Sequence, residues 1–248
     1  MLQGTAPALA MSQVARFGIH GGQASATAGE SFEAAYAAAA DQVLHGTGRD
    51  ALSAIRMLKT ADPSRYQPAN GADYPRSPFG QALRQIAQLT KSNVGLAVAF
   101  ADVGGWDTHV NQGAANGQLA TRLDDFARAI AAFIADLDDR MEDTVVVTMS
   151  EFGRAVNQNG SGGTDHGHGN AMMVIGGGVR GGRVLGAWPG LAIDRRYDGR
   201  DLAVTTDFRD VFAEIVTRHM GVADARPVFP GYAMDAAKFP GLFAAGIG

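Results

Sequence analysis

Apolar residues mark out the chain in two rhythms. Leu83, Ile86 and Leu89 recur at helical spacing, and Leu119, Leu123, Phe126, Ile130, Phe133, Ile134 and Leu137 keep steps of three and four over five turns. These stretches predict a short helix and a long one. Residues 94–100, 144–149 and 171–175 are instead short runs that predict strands, the first a continuous apolar run of the kind covered on both faces of a sheet and the second supplied with β-branched side chains. Val211, Phe212, Ile215, Val216 and Met220 form a last helical stripe, with Thr206 as the expected N-cap and Gly221 as the stop.

Upstream, residues 31–59 are rich in alanine and carry Phe32, Tyr36, Val43, Leu44, Leu52, Ile55 and Leu58, broken by Gly46-Thr47-Gly48, which predicts two helices. Pro63, Pro68, Pro75 and Pro78 make 62–78 an irregular loop. Residues 157–163 read as a polar return loop, and Gly176 to Gly182 as a turn without the Lys-Ser/Thr ending of a phosphate-binding loop. The order strand, helix, strand predicts an α/β fold with a mostly parallel sheet, in which the loops at the carboxyl ends of strands carry the chemistry. No internal repeat divides the 248 residues, so one domain over 1–248 is expected, helical and loop-rich over 1–78, with the sheet core and polar motifs over 79–248.

Composition narrows the chemistry. With no cysteine, zinc-thiolate sites, disulfides and thiol nucleophiles are excluded, and any metal must sit in a nitrogen and oxygen shell. The net charge of -4 is spread along the chain, with no basic stretch to suit nucleic acid or an anionic membrane. No run is long and apolar enough to span a bilayer, and the first ten residues lack the cationic and apolar regions of a signal peptide.

Three polar clusters remain. The densest, Thr164-Asp165-His166-Gly167-His168-Gly169-Asn170, places a carboxylate and two imidazoles within four residues, a composition suited to metal binding. Gly104-Gly105-Trp106-Asp107-Thr108-His109 and Ser150-Glu151-Phe152-Gly153-Arg154 each follow a predicted strand. Asp107 with His109, and His166 with His168, are two residues apart and in extended chain project to one side. Glu151 is a candidate ligand or base, and Arg154 has the planar fork that matches a tetrahedral oxyanion. The carboxylate and imidazole set suits zinc, with manganese, magnesium or calcium favoured as oxygen ligands and waters increase. Read singly, Asp107 is equally compatible with a turn cap, His109 with a surface position, and Glu151 with Arg154 with a structural ion pair. His20, His45 and His219 have no ligand-like neighbours.

The succession Gly-Trp-Asp-Thr-His at 105–109, Ser-Glu-Phe-Gly-Arg at 150–154, Gly-Thr-Asp-His-Gly at 163–167 and Thr-Thr-Asp-Phe-Arg-Asp-Val-Phe-Ala at 205–213 resembles the domain-of-unknown-function 1501 family. This bacterial group is placed with the alkaline phosphatase and sulfatase superfamily. The resemblance implies a three-layer α/β/α sandwich, hydrolysis of small-molecule phosphate or sulfate esters, and export by the twin-arginine route to the periplasm. It also implies a divalent metal centre in which Asp107, His109, Glu151 and His166 are ligands, Asp165 and His168 complete or orient the shell, and Arg154 steadies the oxyanion. The superfamily's first metal carboxylate and its nucleophile lie near an amino-terminal strand with a Gly-Gly-x-Asp-Gly-type motif. No such segment occurs here, so the chain is expected to be the carboxyl-terminal portion of the site. A non-catalytic metal-binding module and attack by a metal-activated water are the alternatives.

Overall fold

Ser77 and Pro78 begin the first helix of the computed structural model, which describes residues 66–244; the helices expected over 31–59 lie outside the described residues. The Ser77 hydroxyl accepts the Gly80 amide at 3.1 Å, and Pro78, whose missing N–H costs nothing in the first turn, opens helix α1, Pro78–Lys91. At the other end the Ser92 amide donates back to Gln88 and Leu89, and Asn93 takes a left-handed φ of 52° that turns the chain out of the helix. The proline-rich stretch before it, over 66–77, holds no helix or strand, as its composition predicts. Helix α2, Gln118–Leu137, follows the long apolar periodicity and buries Ala129, Ile130, Ala132, Phe133 and Leu137.

The described chain divides into two compact units, one including residues through Val103 and Asp125–Asp138, the other Gly104–Asp124 and Asp139 onward. In the first, Phe79 of α1 stacks on Phe126 of α2 with ring centroids 5.4 Å apart. Asp136, fully buried on α2, accepts the Lys91 ammonium and the Ala69 amide on one oxygen and the Tyr66 and Tyr74 hydroxyls on the other. Burial alone would raise this carboxyl; the Lys91 ion pair and the three further donors outweigh it, and its pKa is lowered.

Among the described residues, all the strands lie in the second unit. β1, Val145–Val147, pairs antiparallel with β4, Val174–Gly176, and a smaller ladder joins β2, Gly153–Arg154, to β3, His166–Gly167. Helix α3, Phe208–Glu214, starts at Asp207, whose side chain accepts the Arg209 amide at 2.9 Å, one residue beyond the expected Thr206; it runs on as a π-helical turn over Ile215–His219, and Gly221 ends it with a φ of 67°. Val211, Ile215 and Leu242 form a core cluster, against which Val145 and Val147 of β1 and Val174 of β4 pack. Buried Glu214 holds the end of the chain there by accepting the Gly241 amide at 2.8 Å and the Phe243 amide at 3.3 Å.

This corrects the expected three-layer sandwich with a parallel sheet. Among the described residues there are two separate two-stranded sheets, both antiparallel, and no parallel pair. The apolar runs at 144–149 and 171–175 do yield strands, but these two bond to each other in opposite directions. Residues 94–100 pair with no strand among the described residues, and Val98 and Phe100 are 70% and 80% exposed. A continuous apolar run signals a capacity for burial but carries no period that specifies a partner or a direction.

Candidate metal centre

The site is assembled in the second unit by three short segments held backbone to backbone. Residues 108–112 lie beside 161–164: the Asn111 amide donates to Ser161, the Gln112 amide to Gly162 and the Thr164 amide to Thr108, at 2.9 to 3.2 Å. Arg154 pairs with His166 across the β2–β3 ladder, and the Ala155 amide extends it by donating to Asp165 at 2.9 Å. Glycine is required at the crossings because nothing larger fits. A Cβ on Gly163 would lie under 3.0 Å from the His109 backbone, one on Gly167 from Arg154, and one on Gly153 from Gly169.

These crossings bring Asp107, His109 and His166 together, with one potential ligand atom from each inside a 4.8 Å span. His109 Nε2 lies 2.8 Å from Asp107 Oδ1, and His166 Nε2 lies 2.7 Å from the same oxygen. All three side chains are about half exposed, so the cluster is open to solvent. Phe152 stacks on His166 at 4.7 Å, and the His166 ring is tilted against His109 at 5.0 Å.

A second layer fixes the first. Asp165 Oδ1 is 3.1 Å from His109 Nδ1 and accepts the Asn159 amide at 2.9 Å. Arg154 is committed at all three nitrogens: Nη1 donates to Asp107 Oδ1 at 2.6 Å, Nε to the Thr164 hydroxyl at 2.9 Å, and Nη2 to the Thr164 carbonyl. The Thr108 and Thr164 hydroxyls both donate to Gln112 Oε1 at 2.8 Å. The hydrogen bond from Arg154, then that from His166, holds the Asp107 carboxyl below its ordinary value; Asn159, then His109, do the same for Asp165.

Two of the six metal candidates stand apart from this group. Glu151 is exposed and offers no atom to it, and His168 is stacked on Tyr197 with ring centroids 3.9 Å apart. Asp165 adjoins the group from behind His109. Two residues that support the centre, Asn159 and Gln112, went unread in the sequence. Asn159 had a signal, since Asn followed by Gly160, Ser161, Gly162 and Gly163 is the composition of a side-chain-closed turn; Gln112 had none.

The donor set fits a divalent cation: two imidazole nitrogens and one carboxylate oxygen, with a carboxylate behind one imidazole and one side open to solvent, make a three-ligand set. No helix among the described residues is long and apolar enough to cross a membrane. No curated protein and no solved structure matches the chain. The family assignment comes from the sequence itself: residues 10–229 match the family described as "Protein of unknown function (DUF1501)", and the chain belongs to that family.

Proposed function

We propose that the chain is a divalent-metal-dependent hydrolase-like domain acting on phosphate or sulfate esters, the chemistry of the alkaline phosphatase and sulfatase superfamily that its motifs resemble. The observation that carries this reading is the convergence of Asp107, His109 and His166, backed by Asp165. When bound, a divalent cation would polarise the ester oxygens and acidify a water. Asp107 and the two imidazoles would hold it, and Asp165 would keep the His109 lone pair aimed inward. Arg154 adds positive charge beside Asp107, where it would complement an ester oxyanion.

The attacking group in this reading is water. Among the hydroxyls next to the clusters, Thr108 and Thr164 donate to Gln112, and Ser150 donates to the Phe152 carbonyl at 3.0 Å. None of the three stands beside a free base in a nucleophile arrangement. The same commitments favour a second reading, a metal-binding module without catalysis. Assay of the zinc- or manganese-loaded chain on aryl phosphate and aryl sulfate esters separates them. Metal-dependent turnover that is lost in His166→Ala supports the hydrolase; full metal occupancy without turnover on either ester supports the binding module.

A further inference from the structure

Asn159 is the most completely bonded polar side chain around the centre. Its Oδ1 accepts the Ser161 amide at 2.9 Å and the Gly163 amide at 3.0 Å, closing the turn that carries Gly163 against the His109 backbone. Its Nδ2 donates outward twice, to the His109 carbonyl at 2.9 Å and to Asp165 Oδ1 at 2.9 Å. Two acceptor and two donor positions exhaust what an amide offers. The orientation is also unambiguous, because a flipped amide would set oxygen against two acceptors and NH2 against two N–H donors.

We propose that Asn159 is a positioning residue that holds His109 and its carboxylate partner Asp165 in place. Resting on the metal-centre reading above, it acts on His109 by two routes. One bond anchors the His109 backbone. The other holds Asp165 in place through the same oxygen that faces His109 Nδ1. A residue that only closed the turn would need Oδ1 alone, so the donor side of the amide separates a positioning role from a structural one.

Asn159→Asp makes that separation. It keeps the oxygen that accepts the Ser161 and Gly163 amides, removes the donor to His109 and Asp165, and sets a second carboxylate against Asp165. Zinc Kd by chelator competition and metal-free stability by chemical denaturation are measured on the full chain for Asn159→Asp and for Asn159→Ala, which loses the turn as well. The expected result is zinc binding weaker by about 10- to 100-fold in both variants, with the denaturation midpoint lowered more in Asn159→Ala. If Asn159→Asp does not fold, Asn159→Ser, which keeps an acceptor oxygen for the turn and has no amide N–H to donate, takes its place with the same expectation. Zinc affinity kept by the folded Asn159→Asp and lost only in Asn159→Ala would overturn the role of Asn159. A parent chain that binds no zinc would instead overturn the metal-centre reading on which the proposal rests.

Discussion

His109 Nδ1 faces Asp165 Oδ1 at 3.1 Å while Nε2 of the same ring lies 2.8 Å from Asp107 Oδ1, so one imidazole is held between two carboxylates with different tasks. In the proposed metal centre Asp107 would share a cation with His109, and Asp165 would orient the ring from behind. Asp165→Ala should therefore leave the zinc stoichiometry intact while weakening affinity by about 10- to 100-fold. Calorimetric titration checks both numbers. Loss of stoichiometry would make Asp165 a direct ligand.

The backbone crossings impose a second expectation. A methyl group on Gly163 would meet the carbonyl and backbone carbon of His109 and the Thr108 carbonyl, none of which can rotate away as a side chain would. Gly163→Ala should cost about 1–3 kcal/mol of stability, the usual range for overpacking, and should weaken zinc binding with it. Gly160→Ala, three residues away in open space, is the control and should bind zinc as the parent does. Chemical denaturation and zinc titration of the pair provide the comparison.

These crossings also explain what the sequence made legible. The periodicity of α2 survived intact because a stripe at steps of three and four already specifies both the element and its buried face. A strand over 94–100 rests on an apolar run alone, which contains no information on pairing, and Leu96, Val98 and Phe100 lie exposed. The directions of β1 and β4 were likewise invisible, since ladder polarity depends on segments far apart in the chain. For the site, Asp107, His109 and His166 were legible as residue types suited to metal binding. Glu151 was expected beside them and His168 to complete or orient the shell, because spacing cannot show that Glu151 offers no atom to the group or that the His168 ring stacks on Tyr197.

In the first unit, Asp136 joins Lys91, Tyr66, Tyr74 and the Ala69 amide, and its loss would leave several donors without their acceptor. Asp136→Ala should destabilise the chain by about 3–5 kcal/mol, the range for breaking a buried pair by removing one partner. It should leave zinc affinity in the folded protein unchanged, because none of its partners belongs to the metal centre. Equal losses of stability and zinc affinity would contradict this independence.

The pH dependence has a definite sign. Asp107, Asp136 and Asp165 are all lowered, so near pH 4 the unfolded chain binds more protons than the folded one. Their contribution is present above about pH 4, the ordinary aspartate value, and lost as pH falls through the lowered values. Tyr66 and Tyr74 are raised, by burial first and then by their bonds to Asp136, so their contribution is present below about pH 10 and lost above it. Denaturant midpoints measured from pH 3 to 11 should fall at both ends, and Asp136→Asn should flatten both arms.

Zinc stoichiometry across a small set of variants tests the metal centre most directly. The full chain is expected to bind zinc, to lose that binding in Asp107→Ala, His109→Ala and His166→Ala, and to keep it in Glu151→Ala and His168→Ala. Zinc retained by folded His166→Ala, or lost equally in His168→Ala, would contradict a centre built on Asp107, His109 and His166.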